Sequence, residues 1–324
     1  MNQTDWAPSA PIANLRRRAE ILKQVRQFFA ERDVMEVDTP VMSHCAVSDP
    51  FIDTIETVFR AYPQAPAHHL YLQSSPEYAM KRLLAAGSGS IYQIGKAFRN
   101  GEVGSRHNPE FTMLEWYRPG FDAEQLMAEV EALVCQVLGL EQIEKLSYRE
   151  VFQRYLSLDP HQATSRQLAE VARQHIDVPY EDDNPDNWLN LLMSHLIEPQ
   201  LEQHGAVFIY DYPASQAALA KVTNDSQGVP VACRFELFVN GVELANGYHE
   251  LTDAAEQARR LEFDIQQRRE LELPQRPTDQ RLVAALESGM PECAGVALGV
   301  DRLVMQALAS EQIDQVIAFP MSIA

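Results

Sequence analysis

Between Phe98 and Tyr117 the chain reads FRNGEVGSRHNPEFTMLEWY, crowding Arg99, Arg106, His107, Glu110 and Glu115 into one short stretch. Guanidinium groups bind phosphate and carboxylate oxygens in forked pairs, and carboxylates accept from ammonium groups. Apolar runs on either side, Ile91 to Ile94 and Phe111 to Tyr117, predict strand, long polar loop, strand. A polar loop held between packed strands is a favoured place for chemistry. An exposed charged hairpin would show the same local pattern, so both readings stay open here.

A second stretch, RFELFVNGVELANGYHELTD from Arg234 to Asp253, carries Asn240-Gly241 between alternating runs, a strong signal for a two-residue hairpin turn with positive φ at both positions. In that register Val239 faces Val242 and Phe238 faces Glu243. Glu236 then shares a face with Glu243, as diagonal neighbours roughly 7–8 Å apart. Two carboxylates so placed repel unless a cation lies between them, and magnesium arriving with a nucleotide fits such a pair. Two solvated glutamates are the alternative. Strict alternation sends Asn246, Tyr248 and Glu250 to the opposite face, whereas a bulge between Glu243 and Asn246 would reverse that parity.

Two helix starts complete the candidates. In AGVALGVDRLVMQAL a glycine-punctuated strand runs into a helix with Arg302 near its first turn, a suitable place for phosphate. It reads equally as a tight corner with a surface arginine. In SSPEYAMKRLLAAG, Ser74 or Ser75 caps a helix with Pro76 at its first position. Glu77 in that first turn either complements the helix dipole or points into a cleft to hold an ammonium group.

The elements that position these residues are legible as patterns. Asn14 is expected to cap a helix from about Leu15 to Glu31, with Leu15, Leu22, Val25, Phe28 and Phe29 on its apolar face. Short strands are expected in VMEVDTPVM and at Leu70–Leu72, an amphipathic helix at 122–138 and a buried strand at Val207–Pro213. From about Glu141 to Gln203 helical patterns alternate with polar loops and carry no evident chemistry.

At 324 residues and 46% hydrophobic content the chain can bury a substantial core. No apolar run approaches the roughly 18 residues of a membrane span, and the start lacks the apolar core of a signal peptide, so the cytoplasm is expected. Cys45, Cys135, Cys233 and Cys293 are far apart and form no CxxC pair, which suggests neither a zinc site nor a disulfide framework. With 27 Lys and Arg against 46 Asp and Glu, the net charge is -19. That lowers the expectation of a nucleic-acid partner, whose phosphates call for a basic surface.

Taken in order, these segments resemble the signature motifs of class II aminoacyl-tRNA synthetases, most closely the lysyl catalytic domain. MEVDTPVM is similar to motif 1, FRN with RHNPEFTMLEWY to motif 2, and GVALGVDR to motif 3, while FELFVNGVELANGYHELTD and VIAFP match the same enzymes. The resemblance runs from about Leu15 to Pro320 and is weakest from Glu141 to Gln203. It implies an α+β fold, an antiparallel sheet flanked by helices. One domain over 1–324 is implied, with a flexible start at 1–13 and a helical insertion at 141–205.

Three departures matter. The lysyl enzymes carry an anticodon-binding barrel ahead of the catalytic domain, whereas here the resemblance starts almost at once. Ala297 stands where they usually have glycine. The family reads FRNE where this chain reads FRNG, with Gly101 in the glutamate's place and Glu102 just after it. If the glycine lets the loop bend, Glu102 substitutes. A short, acidic, lysyl-type chain with GVALGVDR resembles the branch of paralogues that attach (R)-beta-lysine to a lysine of elongation factor P.

Residue by residue, the resemblance implies a nucleotide clamp and an amino-acid pocket. Arg99 would bind the α-phosphate and the substrate carboxylate, Arg106 and Arg302 the outer phosphates, and Phe111 would stack on adenine. Asn100, Gly101, Glu102, His107, Asn108, Leu244 and Gly299 would line the ATP site, with Glu236 and Glu243 holding Mg2+. Ser75, Pro76, Glu77, Glu115, Tyr117, Asn246, Glu250 and Ala297 would bind (R)-beta-lysine or lysine. The implied acceptor is elongation factor P, with no tRNA, no membrane and a homodimer through motif 1. A short ligase charging tRNA or a carrier protein, and an inactive lysine or nucleotide sensor, are the competing readings.

Overall fold

A computed structural model describes residues 6–324. Expectations about residues 1–5 lie outside the described residues. The chain divides into two compact units, one built from residues through Gly120, Thr252–Cys293 and Ala297–Ala324, the other from Phe121–Leu251 and Ala294–Val296.

The first unit opens with helix α1 (Ile12–Ala30), which starts earlier than the expected Leu15. Pro11 occupies the N-cap position, and Asn14 does not cap: its Nδ2 donates to the Gln315 carbonyl at 2.9 Å. Proline's fixed φ suits a helix start, which leaves Asn14 to a tertiary partner. Ile21, Val25, Phe28 and Phe29 are buried, while Leu15 and Leu22 are only partly so. Short strands β1 (Met35–Glu36), β2 (Met42–Ser43), β3 (Glu56–Phe59) and β4 (His68–Leu72) follow, then helix α2 (Glu77–Ala85), strand β5 (Ile91–Phe98) and strand β6 (Glu110–Pro119). β5 pairs antiparallel with β6 in unbroken register and parallel with β1; β2, β4 and β3 form a separate antiparallel sheet in that order. Phe29 of α1 stacks on Tyr92 and meets Trp116 edge-on, fixing the helix across β5 and β6.

In the second unit α3 (Ala123–Leu138) begins in a capping box made by Asp122 and Gln125. Residues 141–205 hold strand β7 (Glu144–Ser147) and helices α4 (Tyr148–Leu156), α5 (Ser165–His175), α6 (Pro185–Leu192) and α7 (Glu198–Leu201). β7 runs parallel to β8 (Ala206–Pro213), which pairs antiparallel with β10 (Pro230–Val239); β10 in turn pairs antiparallel with β9 (Val222–Asn224) and β11 (Val242–His249). Tyr148, Phe152, Leu168, Trp188 and Leu192 from the helices share one core with Val207, Ile209 and Phe238.

The first unit resumes with α8 (Ala254–Glu270) and α9 (Gln280–Glu287). Strand β12 (Cys293–Gly299) leads directly into α10 (Val300–Ala307). Helices with mixed, mostly antiparallel sheets make the fold α+β, as expected. Among the described residues no helix is long and apolar enough to cross a membrane. Cys293 is buried, and Cys45, Cys135 and Cys233 are partly exposed and unpaired.

Candidate active site

Strand β6 lays out one part of the first unit. Its regular alternation puts Phe111, Met113, Glu115 and Tyr117 on one face, opposite Ala97, Gly95, Gln93 and Ile91 of β5. Glu115 is buried, its Oε1 accepting from Ser75 Oγ at 2.6 Å and its Oε2 from Tyr117 OH at 3.0 Å. Ser75 Oγ also accepts from the Glu77 amide at 3.0 Å, but Pro76 rather than a serine occupies the N-cap position and α2 begins at Glu77, one residue later than expected. Pro76 follows in helical conformation and turns the chain into α2.

Glu77 is neither a bare dipole partner nor an isolated cleft carboxylate. Lys81, fully buried one turn on, reaches its Oε1 at 2.6 Å. Burial, and then the nearby charge of Glu77, push the Glu115 carboxyl up to about 8, against the hydrogen bonds of Ser75 and Tyr117 and the charge of Lys81. At neutral pH Glu115 therefore holds a proton.

At the other end of that strand face the guanidinium of Arg99 lies 5.2 Å from the Phe111 ring centroid. Arg99 Nε is buried with no hydrogen-bond partner among the described residues. Gly101 adopts φ +75, the left-handed conformation glycine tolerates, and the chain turns so that Glu102 Oε1 lies 3.5 Å from Arg99 Nη1. Gly104 and His107 bridge each other and fold the loop into a small hairpin with Arg106 exposed. Asn108 Nδ2 donates to the Glu110 carbonyl at 2.6 Å and its Oδ1 accepts from the Met321 amide at 2.9 Å, so its side chain pins the backbone. Glu110 pairs with Lys96 at 3.2 Å.

His107 Nε2 lies 2.7 Å from Arg302 Nη2. Although His107 is exposed, desolvation by the surrounding loop first, then the positive charges of Arg302, Arg99 and Arg106, hold the imidazole below its ordinary pKa, with Glu102 opposing. A neutral imidazole can accept from Arg302, so the contact adds no further positive charge to the cluster. α10 is fixed by Asp301, beside Arg302. Its Oδ2 accepts from the Thr112 amide at 2.7 Å and its Oδ1 meets Arg18 Nη2 at 2.6 Å. Gly299 caps α10 at the end of β12, and Ala297 two residues earlier is half-buried.

The second unit holds the remaining expected residues. Asn240 and Gly241 both take positive φ, and Val239 pairs with Val242 and Phe238 with Glu243, as the turn predicts. Beyond Glu243 the register shifts: Leu237 pairs with Ala245, leaving Leu244 as the extra residue of a bulge. Asn246 consequently faces Glu236 and Tyr248 faces Arg234, which corrects the strict-alternation expectation that set Asn246 and Tyr248 on the other face. Glu236 accepts from Tyr212 OH at 2.7 Å, from Asn246 Nδ2 at 3.2 Å and from Arg234 Nη2 at 2.5 Å. Arg234 thus already compensates Glu236. A carboxylate offers about four lone pairs, so these three donors leave Glu236 room for one further bond. Glu250 is fully buried and bridges Ala220.

Several contributing residues escaped sequence reading. Lys81 stands at i+4 from Glu77, a spacing that signals such a pair, and Arg234 is two residues before Glu236 on one strand face. Asp53, which holds Asn100 Nδ2 at 2.7 Å, has no local signal.

An arginine loop between antiparallel strands, followed late in the chain by a strand-to-helix arginine, defines a class. Residues 5–323 match the family described as tRNA synthetases class II (D, K and N), and the chain belongs to that family. Its curated relatives are more particular. Over 317 residues the chain is 52% identical to the elongation factor P–(R)-beta-lysine ligase of Mannheimia succiniciproducens, with 98% of each chain covered. It is 51% identical to the ligase of that name from Haemophilus influenzae, with 97% of each covered, and 50% identical to that of Vibrio cholerae, with 99% of each covered. Family and relatives mark the chain as an enzyme, a ligase.

Proposed function

We propose that the chain activates (R)-beta-lysine, or lysine, with ATP as an aminoacyl-adenylate and transfers it to a lysine side chain of elongation factor P, without tRNA. One observation carries the reading. A single face of β6 presents Phe111 beneath Arg99 at one end and the buried Glu115 with Tyr117 at the other, four residues or about 13 Å along the strand. An electropositive end suits a polyphosphate, and an acidic, water-poor end suits a diamine. The names of the relatives support both the amino acid and the acceptor.

In this reading the substrate carboxylate attacks the α-phosphate in line and pyrophosphate leaves. Arg99, Arg106 and Arg302 stabilise the charge on the transferring group, and neutral His107 orients Arg302. No covalent protein nucleophile is needed; positioning and electrostatics supply the rate. Glu115 releases its proton as an ammonium group arrives, and Glu77, held by Lys81, adds a second negative group to the pocket. The adenylate is then attacked by the acceptor lysine, whose amine has an unperturbed pKa near 10.4 and reacts only when deprotonated.

To Glu236 and Glu243, in the second unit, we assign the magnesium that accompanies ATP. Glu236 retains one bonding position, and among the described residues no three His, Cys, Asp or Glu side chains converge on a protein-only metal site. That donor set fits a cation that brings most of its own ligands, as magnesium with phosphate and water does. Bound there, it would neutralise phosphate charge. Exposed Met35, Met42, Val58 and Phe59 support a homodimer, which sedimentation would test.

The decisive experiment offers labelled (R)-beta-lysine, ATP, elongation factor P and tRNA together. Label on elongation factor P is expected; label on tRNA alone would overturn the reading.

A further inference from the structure

Gln93 on β5 is the register partner of Glu115 on β6. Directly opposed residues of an antiparallel pair emerge on the same face with Cβ atoms about 4.5–5.5 Å apart, so the Gln93 side chain leaves the sheet beside that of the buried Glu115. Gln93 is only 4% exposed, and its Oε1 is buried with no hydrogen-bond partner among the described residues. Its nitrogen end lies 2.9 Å from where a Cβ on Gly95 would stand, so the side chain leans along the strand over that glycine. Gln93 and Gly95 share the face that carries Met113, Glu115 and Tyr117. A buried amide oxygen left unbonded is costly and uncommon, which calls for a missing donor.

We infer that Gln93 is a substrate-contacting residue whose amide oxygen accepts a hydrogen bond from an ammonium group of the diamino acid beside Glu115. The inference rests on the proposed function above. An ammonium has three donors to place. Glu115 has both oxygens partly engaged by Ser75 and Tyr117, and Glu77 is shared with Lys81. A neutral acceptor completes the coordination without bringing a further negative charge beside Glu115, whose carboxyl burial first and the Glu77 charge second already push toward its protonated form. The unbonded atom is an acceptor on the register partner of a buried acidic residue, which favours a cation over an anion as the missing group.

ATP–pyrophosphate exchange by the full chain, with (R)-beta-lysine and with lysine, tests this on Gln93→Met, which keeps the length and removes the acceptor. The KM for the diamino acid should rise roughly tenfold or more, as for loss of a charge-assisted hydrogen bond, while the KM for ATP stays within about twofold. The thermal shift given by the diamino acid should shrink, and the ligand-free variant should melt no lower, because a buried unbonded amide has gone. Should the methionine variant not fold, Gln93→Asn, which retracts the amide by one methylene, should give the same split. An unchanged diamino-acid KM in a folded variant overturns the inference, as does an equal rise in both KM values. No exchange by the wild-type chain with either amino acid overturns it together with the reading on which it rests.

Discussion

Asn100 is tied to Asp53 twice, Nδ2 to the carboxylate Oδ2 at 2.7 Å and backbone amide to backbone carbonyl at 3.0 Å. Asp53 is itself held. Arg276, buried, donates to its Oδ1 and to the Ile52 carbonyl, and buried Arg268 donates to the Asp49 carbonyl at 3.1 Å. Desolvation works against the charge, but hydrogen bonds from Asn100 and the Thr54 amide and the Arg276 guanidinium hold the Asp53 carboxyl below its ordinary range. The residue after Arg99 is thus anchored by charge brought from the segment between α8 and α9. Asp53→Ala should raise the KM for ATP roughly tenfold, the scale of one charge-assisted hydrogen bond, and leave the diamino-acid KM unchanged. Steady-state exchange kinetics measure both.

Glu102 faces Arg99 because Gly101 bends the loop. Glu102→Ala removes the group that orients the guanidinium, so ATP affinity should fall about three- to tenfold, the range of a partly exposed ion pair with positioning added. Calorimetric titration with a non-hydrolysable nucleotide reads this directly, and unchanged affinity would remove Glu102 from the clamp.

Glu115 predicts a pH effect with a definite sign. Its carboxyl is raised to about 8, so the folded protein keeps a proton that the unfolded chain releases near 4.5. Stability from this group is fully present below pH 4.5 and is lost as pH rises through about 8. Binding of a diamino acid at pH 7 should release up to about one proton, visible as a dependence of the binding enthalpy on buffer ionisation. Glu115→Gln should abolish that release and flatten the stability profile between those limits.

Ala297 is half-buried on β12, where the lysyl enzymes usually have glycine. One methyl in a pocket floor changes discrimination between isomers by about 1–3 kcal/mol. Ala297→Gly should therefore shift the ratio of kcat/KM for (R)-beta-lysine over lysine toward lysine by about tenfold. A constant ratio in pyrophosphate exchange would separate Ala297 from substrate choice.

Local order was legible in the sequence wherever a short-range rule acts. The hairpin at Asn240-Gly241 and the strands either side of the arginine loop stand where turn chemistry and period 2 place them. The start of α1 was not: Pro11 opens the helix and Asn14 serves a carbonyl some 300 residues away. The bulge at Leu244 was not either. Inserting one residue leaves the hydrophobic pattern almost unchanged yet reverses which residues share the Glu236 face.

By itself the sequence determined the chemical inventory and its local geometry: the arginine loop, the carboxylates, the caps and the alternating faces, all products of interactions among near neighbours. Only the tertiary structure decided which charges compensate one another. Arg234 and Tyr212 occupy Glu236, Arg276 reaches Asp53 across 223 positions, and Gln93, the register partner of Glu115, is buried with its oxygen unbonded among the described residues. The physical reason is range. Dihedral preference and periodicity act over a few residues, whereas desolvation and charge pairing depend on what the folded chain brings within a few ångströms.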